Sequence, residues 1–436
     1  MRSWLRRRSP REILLAALAL FWIYSWPGFV GWDTRSHFIE ARTGHTGDGH
    51  PPAIAWLVKL TELFVTGPVG LLVIQSVTLL IALYLLFSLR ASRTAAWWAA
   101  ALFLFPPIAG VTALIAKDGL MAAFLMIGIA LLGRDDRRSH HLSLLFIAAA
   151  SLMRWNALAA TCGPMVLLYR FRPTLIGPKR YAVALGVWFA ISGGTYKIND
   201  SLAVVHEHLW YWSSAYQDIA GTLEYMPDVD DAQLAAIFDG APLVVHDHIQ
   251  ARFRSIYSAA NFYQLIRGPD RVLDRPIDDR ERDAIGAAWH QLVSTYPGAY
   301  IRYRLDTFAL LMKLDRPETT TNVYTWFTVI GAPETIPELG HDAAASRLQS
   351  HLLAASTWIS LTPLYFTFVY FALALVLFAF AWRDPLELSL LLSGIGYELA
   401  WFFLAATTDV RYSQWMELAT LVAAILVVVR RVRRPG

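Results

Sequence analysis

The sequence predicts an all-α polytopic membrane protein: about ten transmembrane helices, with a mostly helical extracytoplasmic domain inserted before the last three. Three observations predict it. Of the 436 residues, 56% are hydrophobic and 17% charged, where a soluble chain carries about half and about a quarter. Apolar runs close to the roughly 20 residues that cross a bilayer recur along the chain. Between Asn199 and about Ser350 those runs stop and polarity is mixed.

The runs cover residues 12–32, 68–89, 94–115, 119–133, 142–153, 156–169, 181–196, 352–382, 386–406 and 413–429. The first follows an arginine-rich start but is longer than a secretory h-region. The stretch from Trp26 to Trp32 that ends it has no small-x-small cleavage site, so an uncleaved signal anchor is expected. With the N-terminus in the cytoplasm, Arg2, Arg6, Arg7, Arg8, Arg11, Arg90, Arg93, Arg134, Arg137 and Arg138 fall inside. So do Arg170, Arg172, Lys179, Arg180, Arg383, Arg430, Arg431, Arg433 and Arg434, which makes half of the 38 basic residues. The C-terminus is then cytoplasmic too. Runs 142–153 and 156–169 are short for a perpendicular crossing, so they read as broken helices held among others or as spans whose turn lies below the outer surface. The 17 Trp and 18 Tyr fit interfacial belts, and the single Cys162 excludes an internal disulfide. A net charge of +4 and a pI near 9.1 reflect these cytoplasmic flanks, which argues against a nucleic-acid partner.

Three regions follow: an N-terminal transmembrane module over 1–198 carrying the first outer loop (33–52), an extracytoplasmic domain over 199–350, and C-terminal transmembrane helices over 351–436. The middle region holds 21 Asp or Glu against 12 Arg or Lys. Helical spacing covers Asp231–Phe238 and Arg280–Met312, while Pro227, Gly240-Ala-Pro242, Gly268-Pro269 and Pro333–Pro337 read as turns. Tyr300–Leu314 reads as an interfacial helix, because one more crossing would carry Arg430–Arg434 outside.

The stretch from Trp32 to Pro52, WDTRSHFIEARTGHTGDGHPP, packs Asp33, His37, Glu40, His45, Asp48 and His50 into one polar loop next to a span. Charged groups are costly beside hydrocarbon and are retained there for function. Topology places Asp33, Asp48, His50, Lys117, Asp118, Arg154, Asn156, Lys197, Asp200, Asp409, Arg411 and Tyr412 on the same outer face. Such a set suits a reaction on a phosphorylated lipid. Asp33 or Asp48 serves as base, Lys117, Arg154 and Arg411 hold phosphate, and His50, Asp118, Asn156 and Tyr412 complete the substrate site. A divalent cation, Mg or Mn, would take Asp48 and Asp118 with waters rather than the histidines.

Structural alternatives stand beside these roles. Asp33 also suits a helix-end cap, Asp48-Gly-His50 a turn before a proline-initiated helix, and Lys117-Asp118 an ion pair or N-cap. Arg154 and Arg411 also suit snorkelling to headgroups. His206, His208, His246 and His248 read as solvated loop, and Glu398 as a hydrogen-bonding group within its span.

The motifs Asp33, Gly47-Asp-Gly-His-Pro-Pro52, Lys117-Asp118, Arg154-Trp-Asn156 and Arg411-Tyr412 carry a resemblance. In their layout the chain resembles the GT-C superfamily of integral-membrane glycosyltransferases. Within it the chain looks like the protein O-mannosyltransferase and lipid A aminoarabinose transferase group, family 39 in the broad sense. The resemblance implies a polyprenyl-phosphate sugar donor, a lipid, glycan or protein acceptor, and Asp33 as the base for the acceptor hydroxyl. It also implies work at the outer face of a bilayer, here a bacterial inner membrane. That group often carries a second acid within two or three residues of the first, whereas Asp33 is followed by Thr34, Arg35 and Ser36. A transporter or flippase of lipid-linked sugar is the rival class, and a polysaccharide ligase or polymerase a third. Polar groups gathered at one face favour the enzyme over alternating access.

Overall fold

The computed structural model describes residues 8–91, 93–314 and 347–433. The turn expected at Pro333–Pro337 and the cationic Arg2, Arg6, Arg7 and Arg434 lie outside them. The chain divides into two compact units. The first runs to His206 and resumes with the described residues from 347 to Glu398 and from Ser413 on; the second takes the described residues from Glu207 to 314 together with Leu399–Tyr412.

The first unit opens with α1 (Pro10–Ser25), whose N-terminus is closed by a reciprocal Ser9–Glu12 capping box. A two-residue strand β1 (Phe29–Val30) leads into α2 (Trp32–Thr43). Residues 32–43, expected as loop, are therefore a helix. Its end is set by Gly44, which takes the left-handed conformation (φ 75°) that a glycine adopts without a Cβ clash and donates its N–H to Glu40 O. The remaining loop reaches α3 (Ala53–Glu62), entered through Pro51-Pro52. Then come α4 (Val69–Ser88), α5 (Ala95–Phe103), α6 (Pro106–Ala113), β2 (Leu114–Ile115), α7 (Lys117–Leu132), α8 (Arg137–Met153), α9 (Ala157–Leu168) and α10 (Pro178–Leu202).

In the second unit, α11 (Leu209–Tyr225), α12 (Asp231–Ile237), α13 (Ile249–Ile256), α14 (Tyr263–Ile266), α15 (Asp279–Thr295) and α16 (Pro297–Leu311) enclose a core that includes Trp212, Tyr216, Phe253, Phe262 and Leu292. The helical spacing over Arg280–Met312 resolves into two helices because Pro297 has no N–H to continue the first. Buried Asp218 and Arg304 pair at 2.5 Å; Trp289 Nε1 donates to the same carboxylate at 2.7 Å, and Arg304 Nη1 donates to Ala405 O at 3.0 Å. The last of these bonds ties Leu399–Tyr412 to α16. The chain closes with α17 (Arg347–Ser360), α18 (Thr367–Ala381), α19 (Pro385–Leu404) and α20 (Gln414–Arg433).

The ten apolar runs do not become ten membrane-length helices. Among the described residues α4 and α19 are long and apolar enough to cross a membrane, with a third crossing if α5 and α6, bent by 66° at their junction, form one span. Proline is the physical reason in several places. Pro27 lies just beyond the end of α1, Pro106 starts α6, and Pro363 lies between α17 and α18. A 16-residue helix such as α1 or α7 is about 24 Å long at about 1.5 Å per residue, short of the roughly 30 Å hydrocarbon core.

Candidate active site

The site in the first unit is built by the parallel pairing of β1 with β2, Phe29 against Leu114 and Val30 against Ile115. Two residues after each strand a helix begins, so the N-termini of α2 and α7 are set side by side. Thr34 Oγ1 donates to Ile115 O, fixing the first turn of α2 to the end of β2. From the other side Gln75 Nε2, on α4, donates to Thr112 O at 2.7 Å and Leu114 O at 3.0 Å. Gly119 makes this possible, since a Cβ there would sit 2.5 Å from Gln75 Nε2.

This scaffold joins residues that the sequence keeps far apart. Lys117 Nζ donates to Asp33 Oδ2 and lies 3.2 Å from His50 Nδ1, while His50 Nε2 is 3.7 Å from Asp33 Oδ1. The side chains of Asp33, Lys117 and His50 keep 18%, 9% and 24% of their surfaces open. Asp33 also lies in the first turn of α2, where the helix dipole favours a negative charge.

Next to it in sequence, Asp118 points into a closed cluster. Arg154, which ends α8, forms an ion pair with Asp118 and donates through Nε to Asn156 Oδ1 at 3.1 Å. Side-chain exposure of 2% for Asp118 and 6% for Arg154 makes this a buried pair. Arg154 thus meets Asp118 and Asn156, and the cation that meets Asp33 is Lys117.

Asp48 is buried, its N–H donates to Val205 O at 3.1 Å, and its Oδ2 lies 3.8 Å from His206 Nδ1. His206 is in turn 4.0 Å from Asp200 Oδ1. Thr46 Oγ1 donates to Leu202 O at 2.6 Å, so the 44–50 loop is strapped to the end of α10. Asp48 therefore holds the loop that carries His50. Of the acids assigned to a divalent ion, Asp118 meets the guanidinium of Arg154, and among the described residues no group of three or more His, Cys, Asp or Glu is placed to hold a metal.

Arg411 and Tyr412 belong to the second unit. Arg411 donates through Nε to Asp409 Oδ2 at 2.8 Å, and Tyr412 stacks on Trp401 with ring centroids 4.2 Å apart.

Sequence reasoning missed two residues that position the site. Asn199, fully buried, accepts the Ala53 N–H at 3.0 Å and donates to Leu152 O at 3.1 Å, tying the start of α3 to the end of α8. Its signal was absent, because a lone Asn near a helix end reads as a cap or surface group. His37 had a signal: Asp33, His37 and Glu40 follow the i, i+4, i+7 spacing of one helix face. Its imidazole is 2% exposed, stands edge-on to His50 with centroids 5.0 Å apart, and has Nδ1 3.9 Å from Glu40 Oε2. Burial holds this imidazole below its ordinary pKa, against the opposing pull of Glu40.

No protein family matches the chain, and no curated protein is similar to it. Among solved structures it is similar to the archaeal oligosaccharyltransferase AglB from Archaeoglobus fulgidus, determined in complex with an inhibitory peptide and a dolichol-phosphate. The identity is 11% and the TM-score 0.38, over 98% of this chain and 50% of that one. The chain thus spans about half the length of that protein, and a likeness of this size carries no argument about the reaction.

Proposed function

We propose that the chain is an integral-membrane glycosyltransferase that moves a sugar from a polyprenyl-phosphate donor to a hydroxyl of a lipid, glycan or protein acceptor. The observation that carries the reading is the Asp33–Lys117–His50 cluster: an accessible carboxylate, ammonium and imidazole at the joined N-termini of α2 and α7. The motifs shared with the GT-C group supply three of its residues. In this reading Asp33 accepts the acceptor's proton as its oxygen bonds to the anomeric carbon, and the bond from that carbon to the donor phosphate breaks. Lys117 balances the charge of the leaving phosphate and His50 holds Lys117 in place. Asp118 and Arg154 act from behind, fixing the first turn of α7 from which Lys117 extends. The site faces the outside of a bacterial inner membrane, with both chain ends in the cytoplasm.

The test is reconstitution of the purified chain with a panel of polyprenyl-phosphate hexoses and pentoses and detection of a covalently glycosylated product. Wild type gives product and Asp33→Asn gives none. A folded Asp33→Asn protein with undiminished transfer removes Asp33 as the base, and movement of donor across the bilayer without product favours the transporter.

A further inference from the structure

Transfer to a hydroxyl leaves one proton on Asp33 at each turnover, and that proton must depart before the next acceptor can be deprotonated. On one side Asp33 is closed by Lys117, a donor with no vacancy for a further proton while it is an ammonium. One turn along α2 stands His37, buried to 2%, with neither ring nitrogen in a hydrogen bond among the described residues. One turn further, Glu40 approaches Nδ1 at 3.9 Å and keeps 18% of its side chain in solvent. A buried polar group without hydrogen bonds is costly and calls for a reason. The groups facing this imidazole are Asp33 and Glu40 on its own helix, Lys117 from α7 and His50 from the loop.

We propose that His37 is the proton outlet of the site: it takes the proton left on Asp33 at one ring nitrogen and releases one from the other toward Glu40 and water. The inference rests on Asp33 being the base of the proposed transfer. A neutral imidazole is suited to the task because it carries one donor and one acceptor, and burial disfavours the charged form of His37. Residues four apart on a helix are neighbours on one face, about 6 Å apart at Cβ. The step is balanced: the Asp33 carboxyl loses a proton, the imidazole gains one and loses one, and Glu40 passes it to solvent. His37 acts through Asp33 and does not touch the sugar or the phosphate.

Deuterium exchange at the histidine C2 position, followed by mass spectrometry across pH on the purified full chain, reads the His37 titration without any substrate. Losing the negative charge of a neighbour removes support for the imidazolium, so Asp33→Asn and Glu40→Gln each move the midpoint down by about half a unit or more. A midpoint unmoved by either substitution overturns the inference, whether or not transfer has been observed. Should Asp33→Asn fail to fold, Glu40→Gln and the charge-keeping Asp33→Glu, which leaves the midpoint in place, decide the question. With a donor that supports transfer, His37→Asn leaves the first turnover intact and slows steady-state turnover by about tenfold or more, with an enlarged solvent deuterium effect. Unchanged steady-state turnover in His37→Asn also overturns the outlet. Absence of product with every donor in wild type instead defeats the transferase reading, and the titration is judged separately.

Discussion

Asp118→Asn is the sharpest probe of how the site is held. The carboxylate is 2% exposed and its partner Arg154 6%, so the pair is out of reach of solvent screening. Neutralising Asp118 leaves a buried guanidinium without its carboxylate partner, while its bond to Asn156 remains. Breaking such a pair from one side costs about 3–5 kcal/mol. At about 2–3 °C per kcal/mol for a unit of this size, the melting midpoint falls by roughly 6–15 °C. The double variant Asp118→Asn, Arg154→Met removes the stranded charge as well, and replacing both partners by neutral groups of similar volume is near neutral for stability. It therefore melts well above the single variant. The assay is thermal unfolding of the detergent-purified chain at matched heating rates for wild type, both single variants and the double. A double variant at least as unstable as Asp118→Asn would refute the reading that the two charges compensate each other.

Three further outcomes are expected. Lys117→Met lowers transfer by about 100-fold, since it removes the cation paired with Asp33, and Lys117→Arg fails to restore it because a planar fork does not reproduce the ammonium between Asp33 and His50; initial rates with the reconstituted protein measure both. Asn199→Leu strips two partly buried hydrogen bonds and costs about 2–4 kcal/mol, and faster amide exchange at residue 53 and in the last turn of α8 reports it. In the second unit, burial raises the Asp218 carboxyl to about 6 from 3.8. The native form then binds a proton that the unfolded chain has released, so this group's contribution is full below about pH 4 and lost as pH rises through 6, about 3 kcal/mol in all. The stability difference between Asp218→Asn and wild type accordingly grows in favour of the variant from pH 4 to pH 7, and a difference constant with pH in thermal melts contradicts it.

The sequence carried the helical class and half of the geometry. Asp33, Lys117 and His50 were visible as residue types with the right chemistry, and the structure brings them within bonding range of one another. Asp118, Arg154 and Asn156 were also grouped by sequence, but their mutual pairing was not legible, because a linear chain does not reveal that a cation faces its neighbour's carboxylate. Span length was overread for a related reason. Hydropathy sums side chains and is blind to a break such as Phe105-Pro106, where the backbone turns by 66°. The Trp32–Pro52 segment was underread in the opposite sense: its many polar residues suggested loop, while the turn-by-turn repeat of Asp33, His37 and Glu40 carried the helix.

The short ladder between Val30 and Ile115 gives the site a signature for comparing chains. Asp33 lies three residues after one rung and Lys117 two after the other, and each extra residue in either offset would turn its helix by about 100° and aim the side chain elsewhere. Those two spacings are therefore rigid, while the ladder itself does not set the number of residues between the two rungs. A chain sharing this chemistry should be sought by two short fixed intervals with an elastic gap, not by overall similarity.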